Sequence, residues 1–199
     1  MIKDKVTQFI FGYFNNLQSR RIKSESIQTM QTHLKVIEVK SKNTLIDVGE
    51  VCRNIYLVVD GGFVCRYIHE KKGTATTINF YLDDLHPIMA CLDSYFTQTP
   101  TNCELKAIAD SVVMALPKTV VDSLVEQDEY FAKFHYEIVS TAMREENELK
   151  TNLIAYSSKE KYDFIVQHMP SVVQTVPSKY IAEFCGISAE WLSKLKKQK

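Results

Sequence analysis

The chain has 199 residues, 45% of them apolar, and its 24 basic side chains balance 24 acidic ones. That composition supplies a packed core and argues against disorder, while zero net charge excludes a wholly basic nucleic-acid binder and leaves room only for a local basic footprint. No apolar run approaches the roughly 18 residues of a membrane span and no cleavable leader is evident, so a cytoplasmic protein with no membrane partner is expected.

Residues 2–17 read as an amphipathic helix, with Val6, Phe9, Ile10, Tyr13, Phe14 and Leu17 at helical spacing. Ser24 is placed to cap a second short helix through Thr32, with Ile27 and Met30 inward. From Leu34 the texture changes to alternating or β-branched apolar residues. Strands are expected at Leu34–Val39, Thr44–Asp47, Ile55–Asp60, Phe63–His69, Thr76–Leu82, Cys103–Ala109 and Val112–Leu116. Turns separate them at Ser41-Lys42-Asn43, Asp60-Gly61-Gly62 and Lys71-Lys72-Gly73. Many short strands point to a sandwich or roll rather than a parallel sheet.

A helical half begins at Pro117. A short helix covers Lys118–Glu126, and a longer one runs from about Asp128 to Leu153. Phe131, Phe134, Ile138, Ala142, Leu149 and Leu153 form a stripe on the longer helix, interrupted by Glu145 and Glu146. Its gaps of three, four and seven suit a coiled-coil seam, so self-association through this helix is expected over simple packing on the chain's own β-domain. Ser157 or Ser158 caps the next helix, which Met169-Pro170 ends, and Val172–Val176 reads as a small strand.

The last stretch, Val176 to Lys199, has the pattern of a helix-turn-helix. Tyr180, Ile181 and Phe184 are apolar positions of one short helix. Gly186 can take the left-handed backbone that ends it, and Ser188 can cap a second helix. Leu192 and Leu195 share the rear face of that helix, leaving Glu190, Trp191, Ser193, Lys194 and Lys197 in front. An ordinary helical hairpin is the plain alternative. From Ser158 onward seven lysines face four acids, a local surplus of +3 that suits a groove-binding head.

The five cysteines, Cys52, Cys65, Cys91, Cys103 and Cys185, are widely spaced and contain no C-x-x-C pair. They read as buried free thiols rather than a disulfide framework, a metal site or an iron–sulfur cage. No catalytic constellation and no metal site stand out.

This order of helices, eight-stranded roll, long helix and helix-turn-helix resembles the Crp/Fnr family of bacterial transcription regulators over nearly the whole chain. Gly49-Glu50-Val51-Cys52-Arg53-Asn54-Ile55-Tyr56-Leu57-Val58-Val59-Asp60-Gly61 is similar to the family's strand-pair motif, and Tyr180-Ile181-Ala182 and Gly186-Ile187-Ser188 fall where its members place similar residues. The short tail resembles a subgroup, common in Bacteroidetes, that lacks the final wing hairpin. The resemblance implies an α+β fold. It has N-terminal helices and a double-stranded β-helix, jelly-roll-like and of the cyclic-nucleotide-binding type (1–127), a dimerisation helix (128–154) and a DNA-binding head (155–199). It further implies a homodimer on a palindromic double-stranded DNA site, with RNA polymerase as a further partner.

Two departures from the family carry weight. The family's cyclic-nucleotide cassette uses an Arg to neutralise the cyclic phosphate, and no Arg lies between Tyr67 and Met143; Lys106 comes late and on an expected strand. Tight binding of cyclic AMP is therefore not expected, and no cofactor is predicted. The effector stays unknown. Asp83, Asp84, His86, Asp93 and Ser94 mark the rim of any pocket, and His86 and His135 are the candidates should haem be the ligand. In the head, the recognition helix is expected at Ala189–Lys197. Glu190 would accept from cytosine and Lys194 would donate to guanine. Ala189 stands where relatives read a guanine, and Trp191 either touches a thymine methyl or packs on the preceding helix. Ser178, Lys179 and Lys196 are placed for phosphates, with Ser188, Ser193 and Lys197 beside them. The rival readings are a ligand- or partner-binding roll without DNA contact and a cupin-like metalloenzyme, for which His69-Glu70 is the only start of a motif.

Overall fold

The computed structural model describes residues 2–69, 71 and 73–197. Glu70 of the cupin-like pair, Lys72 of one expected turn, and Lys199 lie outside the described residues. Helices α1 (Ile2–Ser19) and α2 (Ser24–His33) lead into β1 (Lys35–Val39), β2 (Thr44–Ile46), β3 (Asn54–Asp60), β4 (Gly62–Ile68), β5 (Ala75–Leu82) and β6 (Ile88–Met89). After α3 (Leu92–Thr97) come β7 (Cys103–Ala107) and β8 (Ser111–Pro117). The rest is helical: α4 (Lys118–Gln127), α5 (Glu129–Ala155), α6 (Ser158–His168), α7 (Pro170–Thr175), α8 (Ser178–Cys185) and α9 (Ala189–Lys197).

The strands form two antiparallel sheets, ordered β1-β8-β3-β6 and β2-β7-β4-β5. Their inner faces meet in one core that takes Val39, Tyr56, Val58 and Val113 from the first sheet and Ile46, Phe63, Cys65, Tyr81 and Leu105 from the second. Alternation decides which side chains go inward. On β3, Tyr56 and Val58 face the roll, while Val59 turns to a cluster with Phe9 and Tyr13 of α1. The β3–β4 corner demands glycine. Gly61 has φ +79°, and a Cβ there would meet Ser111 Oγ at 2.4 Å and Asp110 O at 2.8 Å.

Three expectations change. The apolar run 172–176 is helix, not strand, because Pro170 takes the first helical position, where its missing N–H costs nothing. Ser24 is the first residue of α2 rather than its cap. The Lys23 amide and the Ser26 hydroxyl both donate to Asp128 Oδ2, at 2.8 and 2.7 Å. The two-residue β6 and six-residue α3 were too short for a periodicity to show.

Asp128 is the joint of the molecule. It is fully buried, and its Oδ1 accepts the Tyr130 and Phe131 amides that open α5. Burial alone would raise this carboxyl. The bonds from Ser26, Lys23, Phe131 and Tyr130 outweigh burial and hold it below the ordinary aspartate range.

Candidate nucleic-acid interface

The helix-turn-helix is built as its sequence pattern requires. At the end of α8, Gly186 has φ +68° and the Ile187 amide reaches back to Ala182 O at 3.0 Å, closing the turn. The Ser188 hydroxyl then accepts the Trp191 amide at 3.2 Å and starts α9. Leu192 and Leu195 are buried against Tyr180, Ile181 and Phe184 of α8. The opposite face of α9 is open: Ala189, Glu190, Trp191, Ser193, Lys194, Lys196 and Lys197 are all exposed. A hydrogen bond from Ser188, followed by one from its own amide, holds Glu190 below the usual carboxylate range, so it stays an acceptor. Trp191 is 52% exposed, so half of its surface is open to solvent.

The flank of the head differs from the expectation in one respect. Lys196 Nζ donates to Ser178 Oγ at 2.7 Å, tying the last turn of α9 to the first turn of α8. These two residues therefore act together, while Lys179, over the Tyr180 ring at 4.5 Å, keeps its ammonium near the surface. Met169, Val172 and Val176 close the head from behind.

The roll holds the second candidate region. A cavity of about 1460 Å³ opens between the sheets and α5, lined by Tyr56, Cys65, Asn79, Tyr81, Met89 and Cys103 among others. Asp84, His86 and Asp93 border it. Ser94 does not: it is buried, accepts the Cys52 amide at 2.9 Å and donates to Thr99 O. Asp83 is exposed and outside the lining. His86 Nδ1 lies 3.2 Å from Glu145 Oε2 of α5, and His135 borders the cavity farther along that helix. Arg66 is committed elsewhere, to Glu104 and Glu183. Of the cations that do line the cavity, Arg20 pairs with Glu137 at 2.8 Å and Lys150 sits on the exposed side of α5. Lys106, on β7, leans toward Glu104 at 3.9 Å.

Wide spacing in the sequence concealed one grouping. Cys52, Cys65, Cys91 and Cys103 converge on the roll interior. Cys52 is lowered chiefly by a hydrogen bond from Cys91, and Cys103 chiefly by one from Cys65. Thr101 Oγ1 accepts the Cys103 amide at 3.0 Å. All are free thiols. Among the described residues no three His, Cys, Asp or Glu side chains are placed to hold a metal ion. Cys185 lies apart in the head, where burial pushes it up to about 11.

The stripe on α5 also divides. Phe131 and Phe134 pack with Val120, Val121 and Leu124 of α4, and Leu149 and Leu153 pack with the head. Between them Ile138 and Ala142 are half-buried along the cavity, while Tyr136 and Met143, 71% and 69% exposed, are apolar residues absent from the expected stripe, Met143 at the edge of the cavity and Tyr136 outside its lining. A heptad count from Tyr136 would have found the pair.

No protein-family model and no curated protein matches the sequence. Solved structures do match. FixK2 from Bradyrhizobium japonicum is 13% identical, with 83% of each chain covered and a TM-score of 0.68. A transcriptional regulator of the Crp/Fnr family from Eubacterium rectale is 14% identical over 88% of this chain and 82% of that one, with a TM-score of 0.67. The c-di-GMP-responsive global regulator CLP of Xanthomonas campestris is 10% identical over 88% and 91%, with a TM-score of 0.60. The chain has the Crp/Fnr fold. Within that fold α8 and α9 are the helix-turn-helix pair, α5 is the long helix, and the cavity opens between the roll and α5. No helix among the described residues is long and apolar enough to cross a membrane.

Proposed function

We propose that the chain is a DNA-binding transcription regulator that works as a homodimer, with a sensory roll (1–127), a dimerisation helix (128–154) and a reading head (155–199). One observation carries the reading. The front of α9 presents Glu190, Trp191 and Lys194 to solvent while Leu192 and Leu195 anchor its back. Such a wedge fits a major groove, with Glu190 and Lys194 at base edges and Lys179, Ser178 and Lys196 toward phosphates. The exposed Tyr136 and Met143 supply the surface for a second copy, whose two heads would sit on a palindromic site about one helical turn apart. RNA polymerase would be met by the DNA-bound dimer.

The test is to sequence the fragments that the full chain retains from a random duplex pool, and to titrate the best of them against salt. A palindromic motif with affinity falling steeply as salt rises supports the reading. Retention of no fragment above background would overturn it and favour a roll that works only through protein partners.

The effector of the roll is not a cyclic nucleotide. An unpaired cyclic phosphate would be costly to desolvate in an interior with no uncommitted guanidinium. Calorimetry with cyclic AMP and cyclic GMP should show no dissociation constant below about micromolar, a threshold near −8 kcal/mol. Tighter binding of either would refute the assignment.

A further inference from the structure

The head does not hang free on α5. It is seated on the outer face of β4 and β5, where Val64, Phe80 and Leu82 share a core with Tyr180, Ile181 and Phe184, and the Phe80 and Phe184 rings lie 4.9 Å apart. Inside this apolar seam sits one charged cluster. Arg66 of β4 gives Nη1 to Glu104 Oε1 of β7 at 2.6 Å. Its Nε and Nη2 clasp both oxygens of Glu183 of α8, each at 3.1 Å. Thr77 of β5 donates to Glu183 Oε2 at 2.8 Å, and the guanidinium lies 5.4 Å from the Tyr180 ring centroid. The side chains of Arg66, Glu104 and Glu183 are only 17%, 10% and 26% exposed. On the same pair of strands, Asn79 bonds to Glu146 of α5. The β4–β5 ribbon therefore grips the head through Arg66 and Thr77 and the long helix through Asn79.

Apolar packing alone would hold the head without fixing its angle, because burial has no direction. A bidentate guanidinium–carboxylate fork has a fixed plane and a fixed approach. The covalent joint between α5 and α6 is only Tyr156 and Ser157, both in extended backbone that leaves the direction of the head to other contacts. Given the dimeric reading above, on which this rests, a small tilt of each head changes the distance between two recognition helices.

We infer that Arg66 is a positioning residue for DNA recognition: by clasping Glu183 it sets the angle of the head, and so the half-site spacing the dimer accepts, without touching DNA. Base preference within a half-site belongs to α9 and is independent of the clasp.

The experiment uses the full chain and a panel of duplexes built from its own selected half-site. One series varies the spacer by single base pairs and the other substitutes single bases at constant spacing. Two variants are compared with the parent protein. Arg66→Lys keeps the charge and loses the fork; Glu183→Gln keeps the shape and loses the charge. Both should retain the fold by circular dichroism and the base preference of the parent. For both, the preference for the best spacer over its neighbours should fall by about tenfold, the loss of one strong interaction. If Arg66→Lys does not fold, Glu183→Gln decides alone. A variant that keeps the parental spacing profile overturns the inference, as does one that loses spacing and base preference in equal measure. A parent protein that binds its half-site with no spacing preference overturns the dimeric reading, and the positioning role with it.

Discussion

The head and the roll interior are two regions of very different chemistry. The head keeps its polar groups outside, on one face of α9, with a dry leucine back. The roll interior has the shape of a binding site whose one lining guanidinium among the described residues, Arg20, is paired with Glu137, and it is furnished with tyrosines and thiols. The difference teaches that a shared fold preserves a scaffold while each site's chemistry is set residue by residue. The groove-facing surface has the groups its proposed target needs. Among the described residues, the interior offers no unpaired guanidinium to a cyclic phosphate.

The comparison is broken most severely by attacking the head from behind. Leu192 is fully buried, so Leu192→Ala should lower stability by about 3 kcal/mol and abolish DNA binding in proportion to unfolding. The neighbouring Trp191→Ala removes an exposed ring and should change stability by less than about 0.5 kcal/mol while altering site preference. Equal losses of stability, measured by urea titration, would mean the front and back of α9 have been assigned wrongly.

Asp128 tests the framework that carries both regions. Asp128→Ala strands the Ser26 hydroxyl and three amides, a cost of about 2 kcal/mol at neutral pH. Because the folded carboxyl is lowered, its contribution is present above the ordinary aspartate value of about 3.9 and is lost as pH falls through the folded value. The gap in stability between parent and variant should therefore narrow as pH drops from about 5 toward 2. A gap that widens on acidification contradicts this assignment.

Finer effects separate reading from holding. Lys194→Ala should remove about 1–3 kcal/mol of discrimination at one base pair of each half-site and little from random DNA. Lys196→Ala should instead weaken all duplexes alike, by a smaller factor, since this ammonium also ties α9 to Ser178. Identical profiles for the two variants across a duplex panel would erase the distinction between base and phosphate contacts.

Much of the architecture was legible along the chain because it rests on local rules. Period-two apolar residues specified seven of the strands to within two residues, and Gly186 with Ser188 specified the turn between α8 and α9. The misreadings have equally local causes. Met169-Pro170 ends α6 as expected, but Pro170 also opens α7 where a strand was expected, and β6 and α3 are shorter than any periodicity. The tie between Lys196 and Ser178, at 2.7 Å, went unseen because the two residues are eighteen positions apart.

By itself, the order of residues determined most of the elements, the absence of an arginine in the cassette, and the apolar back and polar front of the last helix, since each depends on neighbours within a turn or a strand. Tertiary structure alone decided that four distant thiols meet, that the ends of the α5 stripe are consumed within the chain while Tyr136 and Met143 face out, and that Arg66 reaches across 117 positions to Glu183. These pairings are set by how two sheets and a helix close over one another, and no spacing along the chain encodes a contact between surfaces that meet only after folding.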